Sequence, residues 1–178
     1  MSVLAASFLL LVSASVAQNS TKAPISITLS TPHSQYPVGQ QIEIDIILEN
    51  TSDKEISVLQ DNARSKAELS YEIDVLNGTG RRPPYSRWGK ILHGQDPGDG
   101  TIGDVSDSHQ IHHLQPHETL SDSAVLNTIY DLSSPGQYVI QVTKTSPPSA
   151  VKKRFPDTEP DKPVTSNAIK ITIAKPGS

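Results

Sequence analysis

The chain has 178 residues, with 14 Pro, 10 Gly, 4% aromatic residues and no Cys, and 15 Lys and Arg against 19 Asp and Glu give a formal net charge of −4. That length suits one domain with a real core, and the acidic balance, with no long run of one sign, argues against a nucleic-acid partner, which needs a basic face. Lack of Cys removes a disulfide framework, thiolate zinc sites and a cysteine nucleophile together.

Residues 1–17 read as an export signal. Residues 8–12 are apolar, and Ser15-Val16-Ala17 offers the small residues a signal peptidase needs, although no Lys or Arg precedes the apolar run. The run is too short to span a bilayer and no second one follows, so no membrane span is expected. Without a Cys at the cut there is no lipid anchor. The expectation is therefore one exported domain over residues 18–178, placed in the periplasm or outside the cell.

Along that domain, apolar residues recur with the period of two that marks half-buried strands. Ile25, Ile27 and Leu29 share one face. After a turn-rich connection over 32–39, Ile42, Ile44, Ile46 and Leu48 alternate with Glu43, Asp45 and Glu49. Asn50-Thr51-Ser52-Asp53 is a turn and residues 56–59 a short strand. Leu69, Tyr71, Ile73 and Val75 alternate up to Asn77-Gly78, a pair that tolerates the positive φ of tight turns. Residues 81–107 are less regular: Pro83-Pro84 breaks any strand, residues 88–92 read as a short one, and 94–103 as a Gly/Asp-rich loop.

Strand character returns over 109–114, 120–126 and 137–143, with room for one helical turn over 127–132. A Pro-rich connection covers 146–163, and Ile169, Ile171 and Ile173 close the chain. Seven to nine short strands at this spacing predict an all-β, immunoglobulin-like antiparallel β-sandwich with no disulfide, and a closed barrel is the alternative. Pro135-Gly136-Gln137-Tyr138, with Asp131 upstream, reads as the tyrosine corner of such a sandwich.

Four constellations are candidates for function. Arg81, Arg82, Tyr85, Arg87 and Trp88 gather the anchor types of protein interfaces on a proline-stiffened segment. A lone Trp is usually largely buried, so Trp88 is expected to plug the core between the sheets, with the arginines around its rim. His109, His112, His113 and His117, with His93 upstream, invite a metal reading. On a strand, however, His109 and His113 stand about 13 Å apart at about 3.3 Å per residue, and His112 points away from His113. Asp96, Asp99, Asp104 and Asp107 could offer hard oxygen ligands to Ca²⁺ from a loop, but their spacing departs from the EF-hand template.

His117-Glu118 begins like a zinc-protease helix motif and fails at Ser121, where the second His belongs. No nucleophile elbow, phosphate loop or dinucleotide fingerprint occurs. Asn19, Asn50 and Asn77 fit the glycosylation sequon, which carries little weight in a bacterial export setting. Neither a metal nor another cofactor is expected.

Three turn motifs carry a resemblance. Val38-Gly39-Gln40 opening the Ile-alternating strand, with Glu49-Asn50-Thr51-Ser52-Asp53-Lys54 closing it, resembles the start of several bacterial immunoglobulin-like modules. Residues 114–120, LQPHETL, resemble their L-x-P-G-E-x-L step, with His117 where that pattern has Gly. Residues 130–138, YDLSSPGQY, resemble their corner. The pattern is similar to the N-terminal, non-catalytic domain of deuterolysin-type metalloproteases and to a group of exported acidobacterial proteins. More loosely, through residues 71–76 and Arg87-Trp88, it resembles the intracellular proteinase inhibitor family. The resemblance implies the fold over most of residues 25–142. The deuterolysin catalytic domain has no counterpart here, so no protease activity is carried over.

The function expected is a non-enzymatic binding or accessory module whose partner is a protein, such as a protease or a cell-surface component. One alternative is a proteinase inhibitor acting through an exposed loop, with 81–88 and 146–156 as the loops, where Pro-Pro pairs reduce the entropy lost on docking. A second is a structural subunit of a cell-surface assembly that adds strand to strand through an open edge.

Overall fold

A computed structural model describes residues 23–61, 67–96 and 109–175. The leader expected over 1–17, together with Asn19, lies outside them.

The described chain is an all-β sandwich. Its elements are β1 (Ile25–Ser30), β2 (Gln35–Pro37), β3 (Glu43–Asn50), β4 (Ile56–Asp61), α1 (Ala67–Ser70), β5 (Glu72–Asn77), α2 (Arg87–Leu92), β6 (His109–Leu114), β7 (Thr119–Val125), α3 (Leu126–Ile129), β8 (Gly136–Lys144), α4 (Ser149–Arg154), β9 (Thr158–Glu159), β10 (Val164–Thr165) and β11 (Ile169–Ala174). Eight of the strands have six or more residues, within the seven to nine expected. The other three have two or three residues and left no periodicity to read.

One sheet runs β1-β3-β7 and a second has β8 at its centre. On one edge of β8 lies β5, and on the other lie β11 and β10. The pairing is antiparallel except that β2 joins β11, and β9 joins β4, in parallel, where a purely antiparallel sandwich was expected. A third sheet, β6-β4-β9, continues the first one around a bend. The β3–β7 ladder ends at Glu49 opposite Thr119, and the β4–β6 ladder resumes with Ile56 opposite Leu114.

That bend is where two of the sequence motifs meet. Asn50 is fully buried, and its Nδ2 donates to the carbonyls of Lys54 (2.7 Å) and Leu114 (3.0 Å). Its Oδ1 accepts from the Ser52 amide (3.0 Å) and hydroxyl (2.7 Å). Its backbone amide donates to Glu118 O, and its carbonyl accepts from His117 N. A buried amide with every polar atom bonded is a strong local lock, since leaving one unpaired costs about 1–3 kcal/mol. It also removes the Asn50 sequon from reach of a glycosylating enzyme in the folded chain.

The tyrosine corner forms as the sequence predicts: the Tyr138 hydroxyl donates back to Ser134 O at 2.7 Å, and Asp131 accepts from the Ser133 amide at 3.1 Å. Between the sheets, Ile27, Leu29, Ile44, Ile46, Leu48 and Ala124 meet Ile73, Val75, Ile140, Val142, Ile171 and Ile173 in one buried cluster. The single helical turn expected near the corner is α3.

Three local readings change. Residues 88–92 are helical, in α2, because the Ser86 hydroxyl caps the turn by accepting from Gly89 N at 3.0 Å. Leu69 belongs to α1, so β5 begins only at Glu72. The connection over 146–163 contains α4 and β9.

Candidate functional site

The Arg/Tyr/Trp segment is clasped to the corner rather than left free. The Tyr85 backbone bridges Tyr130, Ser86 N donates to Ile129 O (2.9 Å), Asp131 N donates to Pro84 O (2.8 Å), and the Ser86 hydroxyl donates to Thr128 O. Tyr85 stacks between Tyr130 (centroids 5.2 Å apart) and His93 (4.3 Å). Arg82 donates to Asp74 through Nη2 (2.6 Å) and Nε (3.0 Å), and to the Tyr85 hydroxyl through Nη1 (3.0 Å). Both ring faces of Tyr85, and the fork of Arg82, are thus engaged within the chain.

Arg81 is exposed, its amide held by Asn77 Oδ1 at the turn after β5. Arg87 is exposed on the first turn of α2. Trp88 is half-buried on α2 and is not one of the fully buried core residues, so it does not plug the inter-sheet core as expected. The helix that Ser86 initiates carries it to the flank of the sandwich.

The described histidines do not converge on one point. His112 alternates onto the side of buried Leu114, whereas His113 points outward, with its Nδ1 3.1 Å from Ser57 Oγ and 3.7 Å from Glu55. His117 sits in the β6–β7 turn near Glu49 (3.7 Å), and His93 caps α2. The His109 side chain, Asp99, Asp104 and Asp107 lie outside what is described. Asp96 is half-buried just past α2. Among the described residues no group of three or more His, Cys, Asp or Glu side chains could hold a metal ion.

Two features escaped the sequence reading. At one end of the sandwich interior, Lys144, only 4% exposed, sits 4.6 Å over the Tyr71 ring and donates to Ser70 O (3.3 Å). The Tyr71 hydroxyl lies beside Asp122, and burial first, then the Asp122 charge, pushes its pKa far up. Gln60 Nε2 donates to Asp122 Oδ1. Lys144 and Asp122 each occupy an inward position of an alternating strand, so period-two counting places them correctly. Their contacts across the sheets are not written in either strand.

The second feature is a groove of about 840 Å³ on the outer face of β4 and β6. Its floor is set by register: Leu59 opposes Ile111 and Ser57 opposes His113, all on the face turned away from buried Val58 and Leu114. Its wall is α4 and the segment after it, with Val151, Arg154 and Phe155. Phe155 is 38% exposed, and the Arg154 guanidinium stands 5.2 Å over its ring. The wall is pinned by Lys152, which donates to Asp161 (2.5 Å) and Thr158 O, and by the Thr158 hydroxyl on Phe155 O (2.8 Å).

No protein-family model matches the chain, and no curated protein matches it. Among solved structures, a mutant β-glucosidase from Listeria innocua in complex with laminaribiose is similar over 85% of this chain and 16% of that one, at 10% identity and a TM-score of 0.39. The chain thus spans about a sixth of that enzyme's length. No described helix is long and apolar enough to cross a membrane.

Proposed function

We propose that this chain is an exported, non-enzymatic immunoglobulin-like module that binds a protein partner, with the groove between α4 and the β4–β6 face as its contact surface. The observation that carries this reading is the partly apolar surface there: half-buried Leu59 and Ile111 line the groove together with an exposed Phe155 and a guanidinium, residue types enriched at interfaces. A partly apolar concavity on a rigid scaffold is where a binding protein places its specificity. The inhibitor alternative draws less support, because α2 and α4 occupy part of the two loops it would present.

The test compares the purified chain with Phe155→Asp, each immobilised and challenged with extract from the exported fraction of its source cells, after matched melting curves establish that both are folded. A partner retained by the native chain and lost by the variant supports the groove as the binding surface. Equal retention on both overturns it.

A further inference from the structure

We infer that the groove takes an extended peptide, which adds as a strand to the free edge of β6, seats an apolar side chain between Ile111 and Phe155, and places a carboxylate against Arg154 and Lys153. This deepens the binding-module reading and rests on it.

Three observations converge. First, β6 pairs with β4 on one side, and its other side meets no strand among the described residues. Open edges are normally blocked by Pro or charge, yet the β6 sequence, HQIHHL, has no Pro, Lys, Arg, Asp or Glu. Second, the groove reaches that edge. Gln110, which alternates away from Ile111 and His113, lines it alongside them, so its mouth opens past β6. A strand laid there would aim every second side chain into the groove, because side chains alternate along a strand. Third, the last turn of the helix that forms the wall is basic. Lys152 is neutralised by Asp161, but Lys153 and Arg154 are exposed with no carboxylate partner among the described residues. Of these two only Arg154 lines the groove, where Asp157 is the one acidic residue of the lining. In a chain of net charge −4 this basic turn selects an acidic ligand.

The test uses fluorescence anisotropy with labelled eight-residue peptides. The parent probe alternates Val and Thr and ends in two Glu. One counterpart ends in two Lys, and another is N-methylated on the amides of one strand edge. The parent should bind saturably, the Lys-ended probe about tenfold more weakly, and the N-methylated probe not measurably. Arg154→Glu, an exposed substitution that leaves the fold intact, should reverse the preference between Glu and Lys ends. Equal affinity of all three probes, or no saturable binding by the parent, overturns the inference. Binding that is lost in Phe155→Asp yet indifferent to end charge and N-methylation also overturns strand addition, while leaving the groove itself as the binding surface.

Discussion

At the scale of single residues, His117 shows how the bend is built and what it costs. Its φ is +64°, in the left-handed region where an L side chain crowds the backbone. The backbone here keeps a conformation that Gly would adopt freely. The amide of His117 is held by Asn50 O, so the chain cannot relax away from that φ. The left-handed conformation costs about 1–2 kcal/mol for an L residue, and Gly forfeits about 0.5–1 kcal/mol through backbone freedom in the unfolded chain. His117→Gly should therefore leave stability unchanged or raise it by up to about 1 kcal/mol, whereas His117→Val should lower it by about 1–2 kcal/mol. The nearby Glu49 changes little, because an exposed pair at this distance is worth almost nothing. Urea midpoints of the two variants decide it: a Gly variant as destabilised as the Val variant would mean that the backbone is not strained. The bend was half legible in the sequence. The motif around His117 marked a turn, but the pairing of that turn with the Asn50 amide, across the two ladders, is a long-range fact.

Among the elements, legibility followed length. Strands with three or four alternating apolar residues announced themselves, and the tyrosine corner did so through residue types that are local to one turn. The helices α2 and α4, six residues each, are too short to show a period of 3.6, and a single Ser before Arg87 does not by itself mark a cap. The groove was illegible for a different reason: its floor and wall come from segments around residues 57, 111 and 155, which alternation describes singly and never together. Gly89 makes α2 a sharp case. A Cβ there would lie 2.0 Å from the Ile129 carbonyl oxygen, so the helix backbone itself packs against α3. Helix propensity alone favours Gly89→Ala by about 1 kcal/mol. The clash is with main chain and cannot be relieved by a rotamer, so the substitution should instead destabilise by about 1–3 kcal/mol. Lys90→Ala, on the exposed side of the same helix, should stay within about 0.5 kcal/mol of the native chain. A stabilised Gly89→Ala would show that α2 lifts off the corner at little cost, and the clasp on Tyr85 would then be loose.

For the whole molecule, the question is what ties the two sheets together in the absence of a disulfide. Tyr130, which follows β7 and α3 of one sheet, donates its buried hydroxyl to Ile73 O in β5 of the other, at 2.6 Å. Burial, and then the neighbouring Tyr85, hold its phenol well above the ordinary value. Tyr71, just before β5 and two residues from Ile73, is raised in the same direction. The folded state therefore prefers neutral phenols. Below the unfolded value, about 10, both states are neutral and the contribution is complete. As the pH rises from there through the folded value, the unfolded chain releases protons that the folded chain retains, and stability is lost at up to about 1.4 kcal/mol per pH unit for each such group. Tyr130→Phe should cost about 1–2 kcal/mol at pH 8 by leaving Ile73 O without its donor. It should also make the decline above pH 10 shallower by one phenol's share. Urea melts of both proteins between pH 8 and 11 read this directly. Parallel declines would mean that Tyr130 ionises as easily in the fold as outside it, and the link between the sheets would then rest on apolar packing alone.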